Sequence, residues 1–266
     1  MRQDGVIVCK CNHLTSFAVL MSLSPGLASH HYKVLSIITQ IGLTISMVFL
    51  ALNVFIFILF WRYVKSAQSI MKLNLSCVLF LANLIFLIGI DKTTNEVVCS
   101  TVAVLLHLLY LMVFFVMLVL GLHMLNGVLN PTYLGDNTLR NLLASYGTAV
   151  FVVAVSVGST QLKGYGTDKY CWLSTETGLI WAFLIPVIVI ITINFTIVVV
   201  VFKIMFNTTQ MTRKTSFNRV KAGVRGFIVL LPVMGLTWII GIFAFDSNMV
   251  VFHYLFSILN SLQEYE

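Results

Sequence analysis

Apolar residues in this chain come in long, nearly unbroken runs, with polar residues gathered between them. Seven runs stand out: Val34–Trp61, Ile70–Ile90, Val97–Leu125, Asn141–Thr160, Leu179–Phe206, Gly226–Phe245 and Ser247–Gln263. A helix crosses a bilayer with roughly 20 mostly apolar residues, and each run reaches or nearly reaches that length. Apart from Lys72 and Lys203 near the ends of two runs, none holds an Asp, Glu, Lys or Arg. The alternating strands of about ten residues that build membrane barrels are absent from the pattern. The expected fold is therefore an all-α membrane protein, a seven-transmembrane helix bundle. The seventh run stops at Glu264-Tyr265-Glu266, which reads as a truncated helix and a short tail over 264–266.

Composition agrees. The 266 residues are 59% hydrophobic and 9% charged, far from the roughly one-quarter charged composition of a soluble domain. A water-facing surface cannot be covered with so few charges. The net charge of +7 would suit nucleic acid in a soluble chain, but here it is a matter of topology. With the N-terminus outside, the inner loops collect Arg62, Lys65, Lys72, Arg140, Lys203, Arg213, Lys214, Arg219, Lys221 and Arg225 against Asp136. The outer loops hold only Lys92, Lys163 and Lys169, against five acids. This is a strong positive-inside bias, and it leaves a basic inner face towards anionic lipid or a partner protein. Met1–Cys11 has no apolar core and does not read as a signal peptide.

The cysteines follow the same topology. Cys99, at the outer end of the third span, and Cys171, in the second outer loop, share the oxidising side, so a bridge between them is expected. Cys77 lies within a span and reads as a packing residue. Cys9 and Cys11 are too close to bridge each other readily, and their partners are expected upstream. A zinc site at Cys9, Cys11 and His13 lacks a full ligand set. No metal or cofactor is expected.

Function classes narrow by what the spans lack. Transporters and channels usually keep ionisable groups inside the membrane, whereas these spans offer only His107, His123 and His253 as groups that titrate near neutrality. A lone histidine in a bundle is more often a hydrogen-bonded packing residue than a relay. No nucleophile with a base, and no metal cluster, lies in the spans, so an enzyme is not expected. A receptor is the first reading. A seven-span transporter or channel and a non-signalling anchor for an adhesion ectodomain stay open beside it.

Residues 9–21, Cys-Lys-Cys-Asn-His-Leu-Thr-Ser-Phe-Ala-Val-Leu-Met, add a second kind of information. They closely resemble the self-cleavage site that precedes the first span in adhesion-type G protein-coupled receptors. Leu106-His107, Tyr165-Gly166-Thr167, Cys171-Trp172-Leu173, Ile180-Trp181-Ala182-Phe183, Gly235-Leu236-Thr237-Trp238 and Asn260-Ser261-Leu262-Gln263 also resemble that family. The resemblance runs from Cys9 to Gln263. It implies a plasma-membrane, multi-pass receptor with an extracellular N-terminus that signals to a heterotrimeric G protein. Residues 1–14 would then be a remnant of the cleavage domain, 15–33 the agonist and linker, and 34–263 the receptor domain.

The implied cleavage has a consistent chemistry. Thr15 Oγ attacks the Leu14 carbonyl while His13 accepts its proton; the resulting ester is hydrolysed and Thr15 becomes an amino terminus. In the family this needs a folded upstream domain, so self-cleavage belongs to the longer protein. The freed segment, Thr15, Ser16, Phe17, Ala18, Val19, Leu20 and Met21, would be a peptide agonist tethered in cis. In helical form Phe17, Leu20 and Met21 share one face and can enter an apolar groove. The resemblance further implies a receiving pocket and switch at His107, Trp172, Trp181, Trp238 and Asn260, with Trp181 equally suited to an interfacial belt. Lys203, Arg213, Lys214, Arg219, Lys221 and Arg225 would face the G protein. The chain also departs from the family. Lys72 and Leu120 stand where many relatives pair a His with a Glu across the base of the bundle, and Val116 and Leu125 replace a frequent Trp and Tyr.

Overall fold

The computed structural model describes residues 2–3, 6–7, 29–64, 66–129, 137–167 and 170–210. A two-residue antiparallel pairing, β1 (Arg2–Gln3) with β2 (Val6–Ile7), comes first. The helices are α1 (Ser29–Leu59), α2 (Trp61–Val64), α3 (Ala67–Gly89), α4 (Glu96–Leu129), α5 (Thr138–Thr160) and α6 (Trp181–Gln210). All but the one-turn α2 are long and apolar enough to cross a membrane, which gives five spans among the described residues. The sixth and seventh expected spans, Gly226–Phe245 and Ser247–Gln263, lie outside them. Helices and hydropathy runs differ at their ends: α1 begins five residues before its run, and α4 continues four residues past its own. Helical hydrogen bonding carries on into polar residues that lie beyond the apolar stretch.

Local chemistry sets several boundaries. Ser66 caps α3 by accepting the Ser69 N–H at 3.1 Å. Asn95 caps α4, its Oδ1 accepting the N–H groups of Val97 and Val98 at 3.1 and 3.3 Å. These satisfy first-turn donors that have no partner inside the helix. Gln161 closes α5 in the left-handed conformation, its N–H on the Val157 carbonyl.

Helix α4 is the centre of the described bundle and packs against α3, α5 and α6, while α1 lies on α3. It is apolar on every side, and side chains from Cys99 to Leu120 are buried along its length, as suits a helix enclosed by others. Gly89 permits the close approach of α3: a Cβ there would meet Val102 Cγ1 at 2.8 Å. α5 offers α4 a stripe of modest side chains that includes Ser145, Ala149 and Ser156, the usual means of bringing membrane helices together. The serine hydroxyls donate to Asn141 and Val152 carbonyls one turn back, so they remain satisfied. Towards the end of α4, Met71, Val116, Leu120 and Leu142 form a separate apolar layer. Leu120 is held in this layer by apolar packing. Tyr146 donates to Asn74 Oδ1 at 3.0 Å beside this layer and ties α5 to α3.

Candidate functional site

The segment between α5 and α6 folds back as a lid over the start of α4. Cys99 and Cys171 are joined, with Cα atoms 4.8 Å apart across 72 residues of sequence. Tyr165 and Leu173 form an antiparallel bridge, and the Gly166 N–H donates to the Trp172 carbonyl at 2.9 Å. The Ser174 N–H reaches the Gly164 carbonyl at 2.8 Å, and the Cys171 N–H reaches the Ile90 carbonyl at the end of α3. Ser100 of α4 donates to the Tyr165 carbonyl at 2.8 Å. Gly166 is required twice over: its φ is +94°, and a Cβ would lie 3.1 Å from Cys99 Sγ.

This lid lowers two aromatic side chains into the bundle. Trp172 is 1% exposed and meets Tyr110 and Phe183 edge-on, with ring centroids 5.8 and 5.5 Å away. Phe183 also meets Phe114 and His107. Tyr165 Oη lies 3.1 Å from His107 Nδ1. Burial pushes the Tyr165 phenol up to about 12. His107, Tyr110 and Phe114 lie on the lid-facing part of α4, Phe183 on the first turn of α6, and Tyr165 and Trp172 on the lid.

Two polar atoms in this cluster have no hydrogen-bond partner among the described residues: His107 Nε2 and Trp172 Nε1. At the start of α6 the Ala182 carbonyl lies four residues before Pro186, which has no N–H to offer it. The lid end of the bundle thus combines a tight aromatic wall with polar ring nitrogens left over.

Of the residues expected in a pocket, His107 and Trp172 come together here. Trp181 does not join them: it begins α6 and is 53% exposed. Phe183, two residues on, is the ring that enters the cluster. Tyr110, Phe114, Tyr165 and Phe183 were not singled out from the sequence as individual pocket residues, because an aromatic residue in an apolar run does not reveal which face it occupies. Lys203 is exposed near the far end of α6. His13, Leu14, the segment Thr15–Met21, Trp238, Asn260, Arg213, Lys214, Arg219, Lys221 and Arg225 lie outside the described residues.

Long apolar helices around a central third span, closed at one end by a disulfide-tied lid over an aromatic cluster, have the architecture of a membrane receptor. The family model described as 7 transmembrane receptor (Secretin family) matches residues 32–264, and the chain belongs to that family. A second model, described as GAIN subdomain B, matches residues 1–25. Similar proteins include adhesion G protein-coupled receptor L4 of Homo sapiens, 38% identical over 260 residues, which are 96% of this chain and 37% of the relative. Adhesion G protein-coupled receptor E3 of Homo sapiens is 36% identical over 272 residues, 96% of this chain and 40% of the relative. Adhesion G protein-coupled receptor E1 of Mus musculus is 38% identical over 269 residues, 96% and 28% respectively. The chain thus spans well under half the length of these relatives.

Proposed function

We propose that this chain is the membrane part of an adhesion-type receptor, activated by its own segment from Thr15 and signalling to a heterotrimeric G protein. The observation that carries the reading is a juxtaposition: the cleavage-subdomain match over 1–25 runs almost directly into the receptor match that begins at 32. Cleavage at Leu14-Thr15 in the longer protein would leave the segment covalently attached to the bundle it activates. Attachment gives a high effective concentration and makes a diffusible agonist unnecessary.

The N-terminus lies outside in this reading, supported by the disulfide at the lid and by the cations between the other span ends. The segment docks under the lid, with Phe17, Leu20 and Met21 towards the aromatic wall. His107 Nε2 and Trp172 Nε1 offer polar partners to its backbone. Docking shifts population only by binding the active bundle better than the inactive one. Trp238 and Asn260 transmit the change, and the basic inner segment from Lys203 to Arg225 meets the G protein. The test is a chain beginning at Ser29, reconstituted with a G protein and given a synthetic Thr15–Met21 peptide. Peptide-dependent nucleotide exchange supports the reading; substrate flux into liposomes without exchange would instead make the bundle a transporter.

A further inference from the structure

A groove of about 700 Å³ runs between the latter half of α4 and the first turns of α5, at the end of α4 away from the disulfide. Its α4 wall extends from Phe115 to Gly127, roughly 18 Å at 1.5 Å per residue. Its polarity is divided along that length. His123, Asn126, Arg140 and Asn141 line the end far from the middle of the bundle, and Phe115 and Leu118 line the end nearer to it. Asn126 and Arg140 are exposed. Among the described residues, no carboxylate lines the groove and Arg140 has no ion pair. The hydroxyls of Ser145 and Thr148, deeper in, are spent on carbonyls of their own helix.

The surroundings identify the medium that the groove faces. Leu122 on α4 and Leu139 and Leu143 on α5 are 41, 71 and 61% exposed. Large apolar side chains so exposed on a spanning helix face hydrocarbon. The groove therefore joins a cationic, amide-rich end at the membrane interface to an apolar trough at acyl-chain depth. A soluble anion would use only the first part.

The geometry points to a binding site for an anionic glycerophospholipid, its headgroup phosphate on Arg140 with the Asn126 and Asn141 amides, and one acyl chain along Phe115 and Leu118. A net negative headgroup matches the positive charge that Arg140 brings to this end, and among the described lining residues there is no carboxylate to receive an ammonium. The site goes beyond the signalling reading and does not depend on it, since binding is measured without a G protein.

The test uses the full chain in phosphatidylcholine nanodiscs doped with phosphatidylglycerol that carries a photoreactive diazirine on one acyl chain. Peptide mapping after irradiation should place the label on α4 between Phe115 and Leu122 and on facing α5. Arg140→Gln should lower that label roughly fivefold, the worth of one cation at an anionic surface, whereas Arg62→Gln on α2 should not. Gly127→Phe gives an independent arm, because a Cβ there meets nothing within 4 Å and the ring can occupy the groove; it should reduce labelling with the charge intact. Unlabelled phosphatidylglycerol should displace the probe, while phosphatidylcholine and inorganic phosphate should not. Even labelling of all helices, equal labelling by a phosphatidylcholine probe, displacement by inorganic phosphate, or indifference to both substitutions would overturn the site.

Discussion

At the residue scale, the Tyr165–His107 contact fastens the lid to the bundle. Tyr165→Phe removes the phenol oxygen and leaves His107 Nδ1 without that partner. Leaving a buried polar group unpaired costs about 1–3 kcal/mol, so the variant should melt at a lower temperature in detergent. The pH dependence has a definite sign. The Tyr165 pKa is raised to about 12 from the ordinary value near 10, so the fold favours the neutral phenol. That contribution is complete below about pH 10 and is lost as pH rises towards 12. The stability gap between wild type and Tyr165→Phe should narrow across that window, and a constant gap would mean that the phenol is not held by its surroundings. The same scale shows what composition conceals. Trp181 and Phe183 belong to one quoted motif, yet one is exposed and the other is packed on Trp172 and His107. Direction within an all-apolar helix is set by its neighbours, and no polar stripe in the sequence marks it.

At the element scale, hydropathy located all five described spans, because the cost of unsatisfied backbone in lipid forces helices wherever apolar runs are long enough. It did not locate their ends, which depend on caps such as Asn95 and on helical turns that continue into polar residues. The disulfide was legible for a different reason: topology placed Cys99 and Cys171 on one side, and the bridge is present. The lid's internal hairpin was not, since it depends on Gly166 at positive φ against the disulfide sulfur. Gly166→Ala should therefore destabilise the lid by roughly 1–3 kcal/mol through backbone strain, read as a lower melting temperature with the disulfide retained. Gly89→Ala crowds Val102 and should cost a similar 1–3 kcal/mol by overpacking α3 on α4. If Gly89→Ala melted like wild type, the spacing of these two helices would be softer than the contact implies.

At the scale of the whole molecule, the chain divides its chemistry between two ends. Tyr165, Trp172, Phe183 and the disulfide gather at the lid end, while Arg140 and Lys203 lie towards the other. The proposed signalling connects these ends through a bundle with two arrangements. Neutralising Arg213, Lys214 and Arg219 together should weaken nucleotide exchange while peptide docking stays unchanged, because rim charges govern encounter with a partner surface. Unchanged exchange would reduce those residues to topology determinants. Towards the end of α4, Leu120 packs with Met71, Val116 and Leu142, so under the proposed signalling any parting of these helices must separate apolar side chains.

The central claim is that the segment from Thr15 is a ligand. Burying a Phe, Leu or Met side chain is worth roughly 1.5–3 kcal/mol, and moving a two-state bundle across most of its range takes about 5.5 kcal/mol. Three anchors together supply about 4.5–9 kcal/mol, a range that brackets this requirement, so the loss of one should be felt strongly. The decisive measurement is G protein nucleotide exchange by a chain that begins at Thr15, at matched surface expression, with Phe17→Ala, Met21→Ala and Ser16→Ala compared. Exchange close to wild type is expected for Ser16→Ala and exchange near the basal rate for Phe17→Ala. Equal exchange by all three variants would contradict the claim and leave Thr15–Met21 as a piece of the upstream subdomain with no part in activation.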